Sequence, residues 1–224
     1  MSSAQRDLGF LLAEPERRFL RAVAARIPRR WRPNHFTVLG VLGATAAGAA
    51  YALSALNPAW LWAASLMLVV QWLGDSLDGN LARVRGAERP KYGYYLDHVV
   101  DAYSTVVIGT GIGLSPYVDL GVALALVIVY LVLSINVYIE TNVFGVFRLA
   151  YGRIGPTEVR IILVLANTAL ALHVWRPFSG PLTLPWVANG LLTTVTIAMV
   201  GLLVGRFAGN VKRLALMEPQ RFER

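Results

Sequence analysis

Residues 75–101 read DSLDGNLARVRGAERPKYGYYLDHVVD, four aspartates in two pairs set between segments apolar enough to cross a bilayer. Charged side chains at membrane depth are costly, so acids at the ends of apolar helices mark a functional site. Asp75 and Asp78 are three residues apart and Asp97 and Asp101 four. On helices each pair therefore shares one face and can point at one ion. Two such helix ends brought together gather four carboxylates, which repel one another unless cations sit among them. Hard oxygen ligands suit Mg²⁺ or Mn²⁺ rather than zinc. With no Cys and only three His in the chain, a soft-metal site is disfavoured. Gly79, next to Asp78, leaves the helix backbone open where phosphates need to approach. Arg83 follows one turn later with the small Ala82 beside it, and its fork of donors suits a phosphate.

Written as DxxDGxxAR, nine residues, then GxxxDxxxD, the stretch closely resembles the signature of the CDP-alcohol phosphotransferase family of integral membrane enzymes. The match involves Asp75, Asp78, Gly79, Ala82, Arg83, Gly93, Asp97 and Asp101 together. It departs from the family in one respect: the gap from Val84 to Tyr92 is nine residues, one more than usual. The extra residue falls in RGAERPK, a Gly- and Pro-containing loop where insertion is tolerated. The competing reading, in which the acids merely pair with Arg83, Arg85, Arg89 and Lys91 at a helix border, does not account for the whole pattern lying between apolar spans.

Composition sets the class. Of 224 residues 56% are hydrophobic, too apolar for an ordinary soluble domain and enough for several spans. Without Cys there are no disulfides and no thiol chemistry. Met1 to Arg32 is arginine-rich without a sufficient apolar core, so the expectation is a retained segment and not a secretory signal. The fold expected is all-α: an integral membrane bundle of six transmembrane helices preceded by an N-terminal amphipathic interfacial helix. Residues 1–34 form the interfacial segment, 35–210 the six-helix catalytic domain and 211–224 a basic tail.

In the first segment, Phe19, Leu20, Val23 and Ile27 fall on one side of a helix opened by Pro15, and Arg17, Arg18, Arg21 and Arg26 mostly on the other. Such a basic amphipathic helix is expected to lie against anionic headgroups; a solvated helix is the alternative. The spans then read as Phe36 to about Leu56, Ala59 to Gly74 with helical continuation into the motif, Gly93 to Leu114, Val118 to Phe147, Thr157 to Val174 and Trp186 to Phe207. The fourth is long enough to project into the cytoplasm.

Lys and Arg set the orientation. Eight lie in the first 35 residues, four in 83–91, three in 148–160 and five from Arg206 onward, against Arg176 alone on the other side. Both termini and the aspartate site are thereby expected on the cytoplasmic side of a cell inner (cytoplasmic) membrane. Trp60, Trp62, Trp175 and Trp186 fall near the outer border as an aromatic belt. The net charge of +8 is then a matter of topology, and nucleic acid is not needed as a partner.

Several residues lie outside the main motif. The element PNHFT at 33–37 is similar to one that family members carry, which implies that Asn34 and Thr37 lie near the nucleotide; Asn34 also reads as a helix cap. His35 reads as a border residue. Glu140, four residues from Asn136, must face the bundle or a hydrated cavity, lining an acceptor pocket or bonding a neighbouring helix. In GRIGPTEVR, Pro156 suits a helix start and Glu158 its first turn. The same stretch resembles a PTE-containing element of the family, making Arg153 and Arg160 candidate ligands of a phosphate or headgroup. His98 beside Asp97 is similar to the DH pair of the choline and ethanolamine branch.

The resemblance implies transfer of a phosphate-linked group from a CDP-linked donor to an alcohol, with release of CMP. Asp75, Asp78, Asp97 and Asp101 are assigned to two metal ions, which stabilise an in-line displacement when about 3.5 to 4 Å apart. Asp101 is also assigned the hydroxyl proton, while Gly79, Ala82 and Arg83 form the diphosphate site with Asn34 and Thr37 beside the nucleotide. CDP-diacylglycerol with a small polar alcohol is the favoured substrate pair in a lipid bilayer, and a homodimer the expected assembly. Soluble CDP-choline or CDP-ethanolamine with diacylglycerol is the alternative; a cation channel or transporter is a distant one, since it has no use for Gly79, Ala82 and Arg83 at these offsets.

Overall fold

The structure is a computed structural model that describes residues 13–144, 155–173 and 184–218. Among the described residues there are seven α-helices and no strand: α1 Ala13–Arg26, α2 Pro33–Leu53, α3 Trp60–Val84, α4 Pro90–Gly113, α5 Leu120–Phe144, α6 Pro156–His173 and α7 Leu184–Met217. The all-α expectation holds, with one amphipathic helix followed by six longer ones. Pro33 and Pro156 each open a helix, where a missing N–H costs nothing. Three segments, Pro33–Leu53, Leu120–Phe144 and Pro185–Met217, are long and apolar enough to cross a membrane by length and composition. In α3, α4 and α6 the apolar run is interrupted by the site's own residues, among them Asp75, Asp97 and Arg160.

Neighbours run laterally in the order α7, α5, α4, α2, α3, α6, with α1 laid on α3. The centre of this row is held by close backbone approach. A Cβ on Gly74 would fall 2.3 Å from the Gly40 nitrogen, and one on Gly111 2.3 Å from the Gly48 carbonyl oxygen. In lipid, where apolar surface gains little by pairing with apolar surface, such small-residue crossings and interhelical hydrogen bonds drive association. Asn167 of α6 supplies two of these bonds, donating to the Tyr51 hydroxyl at 2.9 Å and to Ser65 Oγ at 3.1 Å. Around them Ala47, Ala50, Leu61, Ala64, Leu68 and Ala171 form the core.

The N-terminal helix also has a packed side. Leu20 and Ala24, flanked by Val23 and Ile27, pack on Leu77, Trp72, Leu73 and Phe36, so this side of α1 lies against α2 and α3 while Phe19 stays half exposed. The physical reason is that α3 continues as one helix beyond Gly74, presenting an apolar flank at the same level. Arg85 at the end of α3 then donates to the carbonyls of Ile27 and Pro28, each at 3.0 Å, and to that of Trp31. These are carbonyls at the end of α1 and in the turn after it, left without helical partners.

α3 itself ends in a tight turn. Gly86 has φ +60°, and the amides of Gly86 and Ala87 bond back to Arg83 and Ala82 at 3.1 and 2.9 Å, the glycine-dependent helix stop. At the other end of the chain, α7 passes residue 210 without a break and continues to Met217. Its 34 residues span about 51 Å at about 1.5 Å per residue, more than a bilayer core.

The crossings carry a stability prediction. Gly74→Ala should destabilise the protein by about 1 to 3 kcal/mol through overpacking, read as an earlier thermal transition in detergent. Gly190→Ala on α7, which meets open space, should be neutral or mildly stabilising. Equal losses at both sites would contradict this packing.

Candidate active site

The carboxylates come from two helices, Asp75 and Asp78 from α3, Asp97 and Asp101 from α4. Both helices flank α2, so its N-terminal turn reaches each of them. Thr37 of α2 donates from Oγ1 to Asp78 Oδ2 at 2.7 Å, and the Gly79 amide donates to Asp78 Oδ1 at 2.5 Å. Asp78 is thus held from both sides. Asp75 is held from α6: Arg160 Nη2 donates to its Oδ2 at 2.9 Å, while Arg160 Nε donates to Gln71 Oε1 at 2.7 Å. Gln71 is buried one turn before Asp75. The pair shares a low-exposure site, with side chains 17% and 18% accessible.

On α4, Asp97 stays more open and lies 3.7 Å from His98 Nδ1. The His98 ring packs against Tyr94 at 4.1 Å and Tyr138 at 4.4 Å, so it serves the α4–α5 contact. Asp101 lines a cavity of about 180 Å³ between α4 and α5, with Tyr130, Ser134 and Tyr138 among its walls. The charges of the four aspartates act on one another across the site, and Arg160 is the cation that offsets part of them.

The donor chemistry, oxygen ligands with excess negative charge in a partly buried place, fits a hard divalent cation. In this arrangement the side chains do not yet enclose one: among the described residues no three His, Cys, Asp or Glu groups converge on a single point. Asp75 is turned to Arg160, and Asp78 to Thr37 and its own helix.

The diphosphate candidates lie further along α3. At Gly79 a Cβ would meet only the Arg83 guanidinium, at 3.0 Å, so the bare backbone gives that side chain room to lie over it. Arg83 Nη1 donates to Asn80 Oδ1 at 3.2 Å, and Arg83 Nε lies 3.9 Å from Glu88. Asn34 is not the helix cap, which is Arg32. Its side chain instead donates to the Tyr92 hydroxyl at 2.9 Å and accepts from Arg89 at 3.1 Å, with the Arg89 guanidinium 3.9 Å over the Tyr92 ring. The contacts of Arg83, Arg85 and Arg89 thus go to groups other than the four aspartates, and the ion pair with Asp75 comes from α6.

The acceptor candidates separate. Arg160 joins the aspartates. Glu140 is enclosed between α5 and α7, accepting from Asn136 at 2.6 Å, from Asn210 at 2.5 Å and from Arg206 through two guanidinium nitrogens. This is the interhelical bonding alternative for Glu140. Arg153 lies outside the described residues. Pro156 and Glu158 take the helix-start positions expected of them, and Glu158 Oε2 accepts from the Gly155 amide at 2.9 Å. The sequence reading missed Gln71, Tyr92, Glu16 and Trp72. Gln71 alone carried a signal, a buried-helix polar residue four before Asp75.

A helical bundle with two pairs of acids on the helices either side of α2, beside a glycine and an arginine suited to phosphate, fits a membrane protein of phosphate-group chemistry. The sequence profile described as CDP-alcohol phosphatidyltransferase matches residues 30–204, and the chain belongs to that family. It is similar, at 33% identity over 82 residues, to a phosphatidylinositol phosphate synthase of Cutibacterium acnes (strain DSM 16379 / KPA171202). That match covers 37% of this chain and 37% of the relative's length.

Thr37→Val keeps the shape of the side chain but strips Asp78 of its α2 partner. Mn²⁺ affinity, followed by electron paramagnetic resonance, should fall about 10-fold or more, while Thr37→Ser should bind like the parent. Unchanged binding by the valine variant would show that Thr37 does not orient the carboxylate.

Proposed function

We propose that this chain is a phosphatidyltransferase of phospholipid synthesis, moving the phosphatidyl group of CDP-diacylglycerol to a hydroxyl of a small polar alcohol and releasing CMP. The observation that carries the reading is the gathering of Asp75, Asp78, Asp97 and Asp101 across α3 and α4 in a chain matched by the family's profile over residues 30–204. Inositol phosphate is the first acceptor to test, because the relative is named for a phosphatidylinositol phosphate product. The topology that goes with this reading has α2 to α7 as six spans, with both termini and the aspartates at the cytoplasmic face of the inner membrane. Its support is the concentration of Lys and Arg at those ends.

In this mechanism the acceptor hydroxyl enters beside Asp101, in the cavity lined by Tyr130, Ser134 and Tyr138. Asp101 takes the hydroxyl proton as the oxygen attacks the phosphorus of the phosphatidyl group. The bond from that phosphorus to the CMP oxygen breaks, and CMP leaves with the electron pair. Gly79 and Arg83 hold the diphosphate from α3; Asn34 and Thr37, at the start of α2, border the nucleotide. Asp75, Asp78, Asp97 and Asp101 would hold two Mg²⁺ or Mn²⁺ ions, as members of this family generally use, and such ions supply charge neutralisation to the diphosphate.

The alternative pair, soluble CDP-choline or CDP-ethanolamine with diacylglycerol, uses the same site with donor and acceptor exchanged in polarity. Purified protein with labelled CDP-diacylglycerol, Mg²⁺ and a panel of inositol phosphate, glycerol phosphate, inositol and serine separates the readings. CMP release should depend on one acceptor, vanish in EDTA and return with Mg²⁺ or Mn²⁺. CMP release from CDP-choline alone would favour the alternative, and full activity in chelator would overturn the metal assignment.

The roles of the aspartates also divide. Asp101→Asn keeps the shape and removes the base, so turnover should fall about 10² to 10⁴-fold with donor binding affected much less. Asp78→Asn should weaken donor binding and turnover together. Comparable loss of donor binding in both variants would make Asp101 chiefly a ligand.

A further inference from the structure

Glu16, on a helix assigned no part in the chemistry, accepts hydrogen bonds from two donors at the edge of the site. Trp72 Nε1 donates to its Oε1 at 2.7 Å, and Thr157 Oγ1 lies at 2.9 Å from Oε1 and 3.0 Å from Oε2. Trp72 belongs to α3 and Thr157 to the first turn of α6, so a single carboxylate ties these two helices together through α1. Phe19, one turn on from Glu16, stacks on the Trp72 ring at 6.3 Å with the planes 10° apart. That contact fixes the indole whose N–H the carboxylate receives.

The two ends of this tie are the local neighbours of the Arg160 pair. Thr157 and Arg160 are three residues apart on α6, and Trp72 and Asp75 three apart on α3, each pair within one turn. Arg160 reaches Asp75 Oδ2 and Gln71 Oε1 at once, a pair of bonds that depends on how the start of α6 sits on α3. Glu16 also lies close enough for its charge to act on Asp75.

We infer that Glu16 is a positioning residue of the active site: through Thr157 and Trp72 it sets the first turn of α6 on α3 and thereby aims Arg160 at Asp75. The N-terminal helix is then part of the catalytic scaffold in addition to any contact with lipid. This rests on the proposed reading of Asp75 as a metal ligand of the active site.

The test compares the parent, Glu16→Ala, Arg160→Ala and the double variant in the same vesicles, measuring CMP release from CDP-diacylglycerol with inositol phosphate. Glu16→Ala should lower kcat about 10-fold and leave the donor KM within about twofold. Because it acts through Arg160, the double variant should be no worse than Arg160→Ala alone, a non-additivity that independent sites do not show. Thr157→Val should reproduce the Glu16→Ala loss, and Thr157→Ser should restore turnover. Should Glu16→Ala fail to fold, Trp72→Phe carries the comparison, since it keeps a ring against Phe19 and removes only the N–H. Losses that multiply in the double variant, or parental turnover in either Glu16→Ala or Arg160→Ala, overturn the inference. If the parent releases no CMP with this substrate pair, the substrate reading fails instead, and hydrogen exchange decides the tie. Faster exchange of α6 amides in Glu16→Ala then supports it; unchanged exchange overturns it.

Discussion

The pairing of Arg160 with Asp75 is the interaction on which the site's geometry depends. A carboxylate at the end of an apolar helix is stable only with a partner, and removing one member of a buried pair leaves an uncompensated charge. The partner comes from α6, 85 residues along the chain, so satisfying Asp75 also fixes where α6 can sit. Gln71 reinforces this by occupying the second face of the same guanidinium. Arg160 has a fork of donors and can serve both groups in one plane, which a lysine could not.

Around that pair the helices are placed by two different means. Away from the aspartates, Gly48 and Gly111 at the α2–α4 crossing let backbones touch, and Asn167 bonds across to Tyr51 and Ser65. At the level of the aspartates the means are polar: Thr37 to Asp78, Asn34 to Tyr92, Glu16 to Trp72 and Thr157. The change follows from what each level must do. Close crossings hold a rigid frame, while directed bonds set individual side chains at the angles phosphate and metal chemistry require.

Much of this was legible because helical spacing is a local property. The offsets of three and four between the aspartates put each pair on one face without knowledge of the fold, and the helix starts at Pro33 and Pro156 followed from a missing N–H. What the spacing could not show was the choice of partner. Asn34 suits a cap as well as it suits Tyr92, and only the approach of α4 decides between them. Glu140 could have faced a ligand, but Arg206 and Asn210 of α7 close around it. The continuation of α3 past Gly74 was legible, but the spacing does not say that Leu77 on that extension packs against Leu20 and Ala24 of α1.

Glu16 shows why such residues escape a reading by composition. It is one acid in a helix of arginines, and by charge pattern it belongs to the same surface as Glu14, which pairs with Arg18 of its own helix at 3.0 Å. The two differ only in what lies opposite. Glu14 is exposed and its pair is worth little against solvent screening, whereas Glu16 meets an indole N–H and a hydroxyl whose donors would otherwise need other partners. The same side chain facing two other helices thus constrains more than one facing water, and it does so from outside the motif that names the family. The aspartates define the chemistry; the side-chain bonds that hold Asp75 and Asp78 come from α2 and α6, helices that carry none of them.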